Sequence, residues 1–290
     1  MSLPSPVSGH AGVTLAKIEH LQPSLPPTAK RIASFIRLNT AAVLYMSITE
    51  LAEQTAASEG SIVGFCRRVG ATGFAELKIL LAKEQVEPIR LIQEDLSETD
   101  DPPTVADHVF AAHAAALADT RKLLSAADLT LACDLLCAAA RIEIYGIGSS
   151  APIAQDFAYR LLQIGLDARA IVDSHVQAVS ASKTGPNVTT VTVSHSGSTI
   201  ETVTATRYAK AAGARTIGIT RMGNTPLKSH CELVLHTAAK ETLFRPEATS
   251  SRMAQLAIID TLVSCCAIKN PQRAIASLEA SARVIAEKRY

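Results

Sequence analysis

Thr189-Thr190-Val191-Thr192-Val193-Ser194-His195-Ser196-Gly197-Ser198-Thr199 is the stretch whose reading decides the fold. Its first five residues are all β-branched, which suits a buried strand. Four hydroxyl residues then surround Gly197, and from about Thr199 to Ala212 the composition is helical, with Gly213 as the stop signal. A strand that passes through such a turn into a helix presents hydroxyls and backbone amides at the positive end of a helix dipole. That arrangement suits a phosphate rather than a long dinucleotide. Gly197 lets the backbone bend close to a ligand. Ser194, Ser196 and Thr199 read as phosphate contacts. Ser198, with Glu201 three residues on, reads either as a ligand contact or as the start of a capping box. The turn contains no Lys or Arg, so neutral donors and the helix end must hold the charge.

Upstream, Gly146-Ile147-Gly148-Ser149-Ser150-Ala151 leaves the strand-like run Arg141 to Tyr145 and enters a helix with Pro152 in its first turn. Taken alone it also fits the G-x-G-x-x-A dinucleotide fingerprint, with Asp173 after the next strand as a ribose partner; the second turn argues against that. Strand-like runs recur at Ala168 to Val172, Val188 to Val193, Thr216 to Thr220 and Glu232 to Leu235. Helical stretches near 104–125 and 128–140 precede the first strand, most later strands are separated by helical composition, and an apolar helix follows at about 248–268. Alternating strands and helices imply βαβ units: a parallel five-stranded sheet, doubly wound and flavodoxin-like, with helices on both faces.

Before residue 86 the periodicity is helical throughout, with Leu15, Ile18 and Leu21 followed by Ile32, Phe35 and Ile36. Ser47-Ile48-Thr49-Glu50 is a capping box that opens a helix from Ile48 to about Thr55. After Ala56-Ala57, Ser58 can cap a second helix that buries Ile62, Phe65, Cys66 and Val69. Two short helices across small residues form a helix-turn-helix or, more plainly, an αα-hairpin. Gly60 and Gly64 fall opposite the buried stripe, so the face that would enter a major groove offers no side chain there. Arg67, Arg68 and Lys78 then read as phosphate contacts, either arginine reading otherwise as a solvated surface cation, with Ser58 and Ser61 as small donors. The acidic run Glu94 to Asp101, closed by Pro102 and Pro103, is the best domain boundary. The expected organisation is a tail over 1–12, a helical DNA-binding domain over 13–86, a linker over 87–103 and an α/β domain over 104–290.

Composition bounds the function. With 290 residues the chain is long enough for about two domains at roughly 150 residues each. Its 48% apolar content excludes extensive disorder, and its formal charge of +1 excludes nucleic-acid binding argued from bulk charge. The apolar run Met253 to Ile268 is interrupted by Gln255 and Asp260, so no membrane span is expected. Met1-Ser2-Leu3-Pro4 lacks the basic start of a signal peptide, which points to the cytoplasm. The six cysteines show no C-x-x-C pair and no His partner at zinc spacing; Cys133 and Cys137 share a helix face, and the thiols read as buried small hydrophobes in a reducing compartment.

The run Ser58 to Gly70, continued by Gly73-Phe74-Ala75-Glu76-Leu77-Lys78, resembles the recognition-helix region of the RpiR family of bacterial transcriptional regulators. Thr28 to Ala33 and Ser47 to Ala52 are similar to the same family, and the resemblance spans about 13–84. It departs at Gly60 and Gly64, where the family usually carries a small residue and an Arg. The spacing of the two serine turns resembles the SIS (sugar isomerase) domain over about 128–268, the domain expected behind such a helix-turn-helix. This second resemblance implies a phosphosugar bound by Gly148, Ser149, Ser150, Ser194, Ser196 and Thr199. Gly197 and Ser198 lie in the same loop, and Glu247, in a later stretch to Arg252 that also resembles the family, is placed over the sugar. Some SIS domains are isomerases, for which His195, Glu247 and His175 are the candidate bases. The fused helix-turn-helix makes a regulator the expectation instead. It would bind operator DNA, a phosphorylated sugar or related metabolite and no cofactor, and would work as a homodimer or homotetramer.

Overall fold

The structure, a computed structural model, describes residues 13–85, 97, 99–238 and 249–288. The expected tail over 1–12, most of the expected linker and Glu247 fall outside the described residues. Described residues up to Pro102 form one compact unit and those from Pro103 form another.

The first unit is helical: α1 (Val13–Leu21), α2 (Pro27–Leu38), a single turn α3 (Thr40–Val43), α4 (Ile48–Thr55), α5 (Glu59–Val69) and α6 (Phe74–Gln85). Its core gathers Ile18, Ile32, Ile36, Leu51, Ile62, Phe65, Leu77 and Leu81, all essentially inaccessible. Each such side chain contributes about 1.5–3 kcal/mol on burial. The capping box at α4 is formed in both directions. Ser47 Oγ accepts from Glu50 N at 3.1 Å, and Ser47 N donates to the Glu50 carboxylate at 2.6 Å.

The second unit contains α7 (Pro102–Leu123), α8 (Ala126–Ala138), β1 (Arg141–Tyr145), α9 (Ser150–Gln163), β2 (Ala168–Ile171), α10 (Ser174–Ala181), β3 (Val188–Val193), α11 (Ile200–Ala211), β4 (Arg215–Arg221), β5 (Leu233–Thr237), α12 (Thr249–Lys269) and α13 (Pro271–Ala286). Pro102 and Pro103, read from sequence as the end of the linker, occupy the first turn of α7, where their missing N–H groups leave no gap in the hydrogen bonding. All strands are parallel in the order β2-β1-β3-β4-β5. On one face Ile142, Ile144, Val191, Val193, Ile217 and Ile219 pack with α8, α9 and α12. On the other, Tyr145 and Val188 pack with the small residues Ala181, Ala205 and Ala209 of α10 and α11. By length and composition α12 meets the criterion for a membrane span, but its Ile258, Ile259, Leu262 and Cys266 are buried in the core.

The threonines of β3 are buried, so each hydroxyl needs a partner. Thr189 donates to the Leu135 carbonyl at 2.9 Å, Thr190 to that of Arg215 at 3.4 Å, and Thr192 bonds Thr206 at 2.6 Å. Residues 271–286, to which the sequence reading gave no element, form α13. Asn270 caps it by accepting from Arg273 N at 3.1 Å, and Pro271 occupies its first position.

Candidate functional site

Tyr145, the last residue of β1, pairs with Ile171 of β2 on one side and with Thr192 of β3 on the other. From β1 the chain crosses to β2, then returns past β1 to β3. The order therefore reverses between β1 and β3, and in open α/β sheets ligands bind at that switch point, outside the carboxyl ends of the strands. Both serine turns leave the sheet there, side by side.

The second turn is clamped from beneath. Ser194 N donates to Ile219 O at 3.0 Å, extending the β3–β4 ladder, while His195 O accepts from Arg221 N and Thr220 Oγ1, each at 3.0 Å. Gly197 sits at φ +60, in the left-handed region, and a Cβ there would lie 2.6 Å from Thr225 Oγ1 and 2.7 Å from Thr220 Oγ1. No other residue fits that position. Ser196 Oγ accepts from Ser198 N at 3.2 Å, a bond that does not use its hydroxyl hydrogen. Helix α11 starts at Ile200, with Thr199 as an N-cap that makes no side-chain cap bond. Glu201 is therefore the second helical residue rather than the third, so the capping box expected at Ser198 does not form; Ser198 Oγ donates instead to Ser196 O at 3.2 Å. The first α11 amide bonded back to the N-cap is that of Val203, to Thr199 O at 3.0 Å. The amides of Ile200, Glu201 and Thr202 have no partner within the helix.

The first turn is tighter. A Cβ on Gly146 would meet the Ser150 carbonyl at 2.6 Å, and Gln177, fully buried, holds the turn from below by donating to Ile171 O at 2.6 Å and Gly146 O at 3.3 Å. Gly148 is exposed at φ +61, Ser149 is half-buried and makes no cap bond, and Ser150 is buried. The ribose role weighed for Asp173 meets a different job: its carboxylate caps α10, accepting from His175 N and Val176 N at 2.9 Å each. These bonds, that from Val176 first, hold its carboxyl below the ordinary range.

Of the candidate isomerase bases, His195 is buried, His175 is exposed at the start of α10, and Glu247 lies outside the described residues. The buried acid on β1, Glu143, is fully engaged. It accepts from Tyr145 Oη at 2.8 Å and Ser180 Oγ at 2.9 Å, and pairs with Arg141 at 2.9 Å. Among the described residues no group of three or more His, Cys, Asp or Glu could hold a metal ion.

In the helical unit α5 buries Ile62, Phe65, Cys66 and Val69 and turns Gly60, Ser61, Arg67 and Arg68 outward. A Cβ on Gly64 would meet nothing within 4 Å, so that face is open. Ser58 caps the helix, accepting from Ser61 N at 3.2 Å, and the two hydroxyls lie 2.9 Å apart. Lys78 is half-buried: it donates to Met46 O at 3.1 Å and lies 5.3 Å from the Phe74 ring centroid, so it has a structural task besides any phosphate contact.

Two supports of this interface were missed in the sequence. Arg31 of α2 donates to Thr55 O at 3.1 Å and Ala56 O at 2.9 Å, bracing the turn in which Ala56 adopts φ +46. Thr49 donates to Glu59 at 2.6 Å, fastening α4 to the start of α5. The Thr28 to Ala33 segment that carried part of the family resemblance holds Arg31, but nothing local assigns it to a turn 24 residues away.

A family model described as the helix-turn-helix domain of the rpiR family matches residues 12–88, and one for the SIS domain matches residues 134–265. An uncharacterized HTH-type transcriptional regulator of Caldanaerobacter subterraneus subsp. tengcongensis is 33% identical over 275 residues, covering 95% of this chain and 98% of its own. Another from Thermotoga maritima is 32% identical over 263 residues, 90% of this chain and 94% of its own. The solved structure of the Vibrio vulnificus NanR protein complexed with ManNAc-6P superposes with a TM-score of 0.81 at 27% identity, over 95% of this chain and 99% of that one. The two sequence relatives are transcriptional regulators by name. With both serine turns on a doubly wound sheet and a capped helix pair ahead of them, the chain belongs to the RpiR family of helix-turn-helix transcriptional regulators, with an SIS domain as its C-terminal unit.

Proposed function

We propose that this regulator binds operator DNA through residues 13–86 and that a phosphorylated sugar or related metabolite, bound within residues 104–290, changes that affinity. The observation that carries the reading is the pair of serine turns at the β1–β3 switch point, the second ending at a helix start with no side-chain cap. In this reading Ser196 donates its hydroxyl to the phosphate, supported by Ser194, Ser198, Thr199 and the first amides of α11 beyond Gly197. Gly148, Ser149 and Ser150 line the opposite wall, with Glu247 over the sugar. NanR, the solved relative, is complexed with a sugar phosphate, which supports this ligand class.

Arg67, Arg68 and Lys78 face the operator phosphates, with Ser58 and Ser61 as short donors. The protein acts in the cytoplasm as a homodimer or homotetramer, because helix-turn-helix regulators commonly read paired half-sites. The effector changes DNA affinity only to the extent that it binds the two DNA-affinity states unequally, and the coupling is reciprocal.

A thermal-shift screen of the full chain against a panel of sugar phosphates, their unphosphorylated sugars and inorganic phosphate tests the reading. The matching sugar phosphate at 100 times its Kd should stabilise the protein by about 2.7 kcal/mol. Equal shifts from the unphosphorylated sugar would remove the phosphate from the argument.

A further inference from the structure

The outward face of α5 is short of side chains that could read a base. Gly60 and Gly64 present none, the Ser58 and Ser61 hydroxyls lie 2.9 Å from each other, and Arg67 and Arg68 belong to the last turn. A helix-turn-helix reads base edges with the first residues of its second helix, while its first helix crosses the DNA backbone. The first residue of α5 is Glu59. Phosphate repels a carboxylate, so at a DNA interface an acid is useful only against a donor on a base edge.

Glu59 is held in place from the neighbouring helix. Its Oε1 accepts from Thr49 Oγ1 at 2.6 Å, and Thr49 lies in the first turn of α4. Both residues are half-buried. Among the described residues Thr49 is the only hydrogen-bond partner of the Glu59 carboxylate, which forms no ion pair there, so Oε2 is left to accept from elsewhere. A flexible side chain ordered before its partner arrives loses less freedom on binding. An acid in a first helical turn also suits the helix dipole, but the dipole needs no hydroxyl from α4.

We propose that Glu59 selects a cytosine in each operator half-site, accepting a hydrogen bond from its N4 amine in the major groove, and that Thr49 positions Glu59 for this contact. The inference rests on the operator reading above and adds the base. The major groove offers two amine donors, cytosine N4 and adenine N6. Adenine sets an acceptor, N7, beside its amine, and a carboxylate has no hydrogen to give it. Cytosine presents the donor alone. A glutamine, with both a donor and an acceptor, matches adenine instead.

The test takes the full-length wild type, Glu59→Gln, Glu59→Ala and Thr49→Val, selects each against a pool of randomised DNA duplexes, and sequences what is retained. The wild type should keep one position of each half-site as C·G, preferred roughly five- to 150-fold over other pairs. Glu59→Gln should move that position to A·T, and Glu59→Ala should leave it without preference. Thr49→Val should weaken the preference while the salt dependence of DNA binding stays that of the wild type. Glu59→Gln keeps the shape of the side chain and an oxygen for Thr49, so its result stands even if Glu59→Ala loosens the helix pair. If all three variants retain the wild-type base at every position, Glu59 serves only the helix start and the proposal is overturned. A wild type that enriches no sequence overturns the operator reading and this proposal together.

Discussion

Two helix starts in this molecule are assigned to meet phosphate, and they are built in opposite ways. At the start of α5, Ser58 spends its oxygen on the amide of Ser61, and the cations that follow, Arg67 and Arg68, stand in solvent. At the start of α11, Thr199 makes no cap bond, the turn is half-buried, and it has no cation within it. The first arrangement can attract a polyanion from a distance and loses strength as salt screens it. The second uses fixed neutral dipoles at contact distance, which recognise one small anion and depend little on ionic strength. In the proposed reading the capped α5, with exposed arginines in its last turn, serves DNA, and the uncapped start of α11 serves a metabolite.

The largest expected effect lies at Gly197. Gly197→Ala forces a left-handed alanine, costing about 1–2 kcal/mol for the backbone alone, and drives its Cβ into Thr225 and Thr220. Thermal denaturation should show a clear loss of stability, and response to the effector should vanish. Gly148→Ala carries the backbone cost at an exposed position and should be milder. If both variants behave alike, the clamp beneath the second turn is not what holds it.

Next comes Ser196. A hydrogen bond to a charged group is worth about 1.5–3 kcal/mol, so Ser196→Ala should weaken effector binding roughly ten- to a hundredfold. Ser196→Asp should weaken it further, because it sets a like charge against the phosphate. Operator affinity measured without effector should stay put in both. Titrations in which both variants match the wild type would move the phosphate elsewhere.

Salt separates the two helix starts most directly. Operator affinity should fall steeply between low and moderate salt, and Arg67→Ala should reduce that logarithmic slope by about one unit across sequences. Effector affinity over the same range should stay nearly flat. A steep salt dependence for the effector would erase the contrast.

The smallest effect is at Gly64, where the helix face is open. Gly64→Ala should stabilise the domain by up to about 1 kcal/mol in chemical denaturation. Gly64→Arg should in addition tighten operator binding or change base preference. If Gly64→Arg alters neither, this face does not enter the groove.

How much of this was legible in the sequence follows from how local each signal is. The strands of the sheet and the turn after β3 could be read because β-branched runs and hydroxyl clusters are contiguous. The α4 capping box and the buried face of α5 were equally local, and both formed. For Ser198, open to reading as a cap or as a ligand contact, a helix start at Ile200 removes the i+3 relation a capping box needs. Helix α13 had its signal in Asn270-Pro271, a cap followed by a proline at the first helical position, but no apolar face deep enough to stand out: only Ala274 is buried. The Arg31 brace and the Lys78 contact with Met46 are non-local. They depend on which helices touch, and no spacing within either helix specifies that.

The Arg31 brace bears on how this protein can be re-engineered. Ala56 holds a backbone conformation that ordinarily calls for glycine, and the guanidinium steadying its turn comes from α2, outside the segment that carries the recognition helix. Transplanting residues 47–70 into a related scaffold to change its operator preference would leave that support behind. A chimera that moves Arg31 with the segment should keep the crossing of α4 and α5, whereas one that leaves it out should present the same reading residues at the wrong angle. The portable module for swapping specificity therefore begins in α2 and not at the capping box.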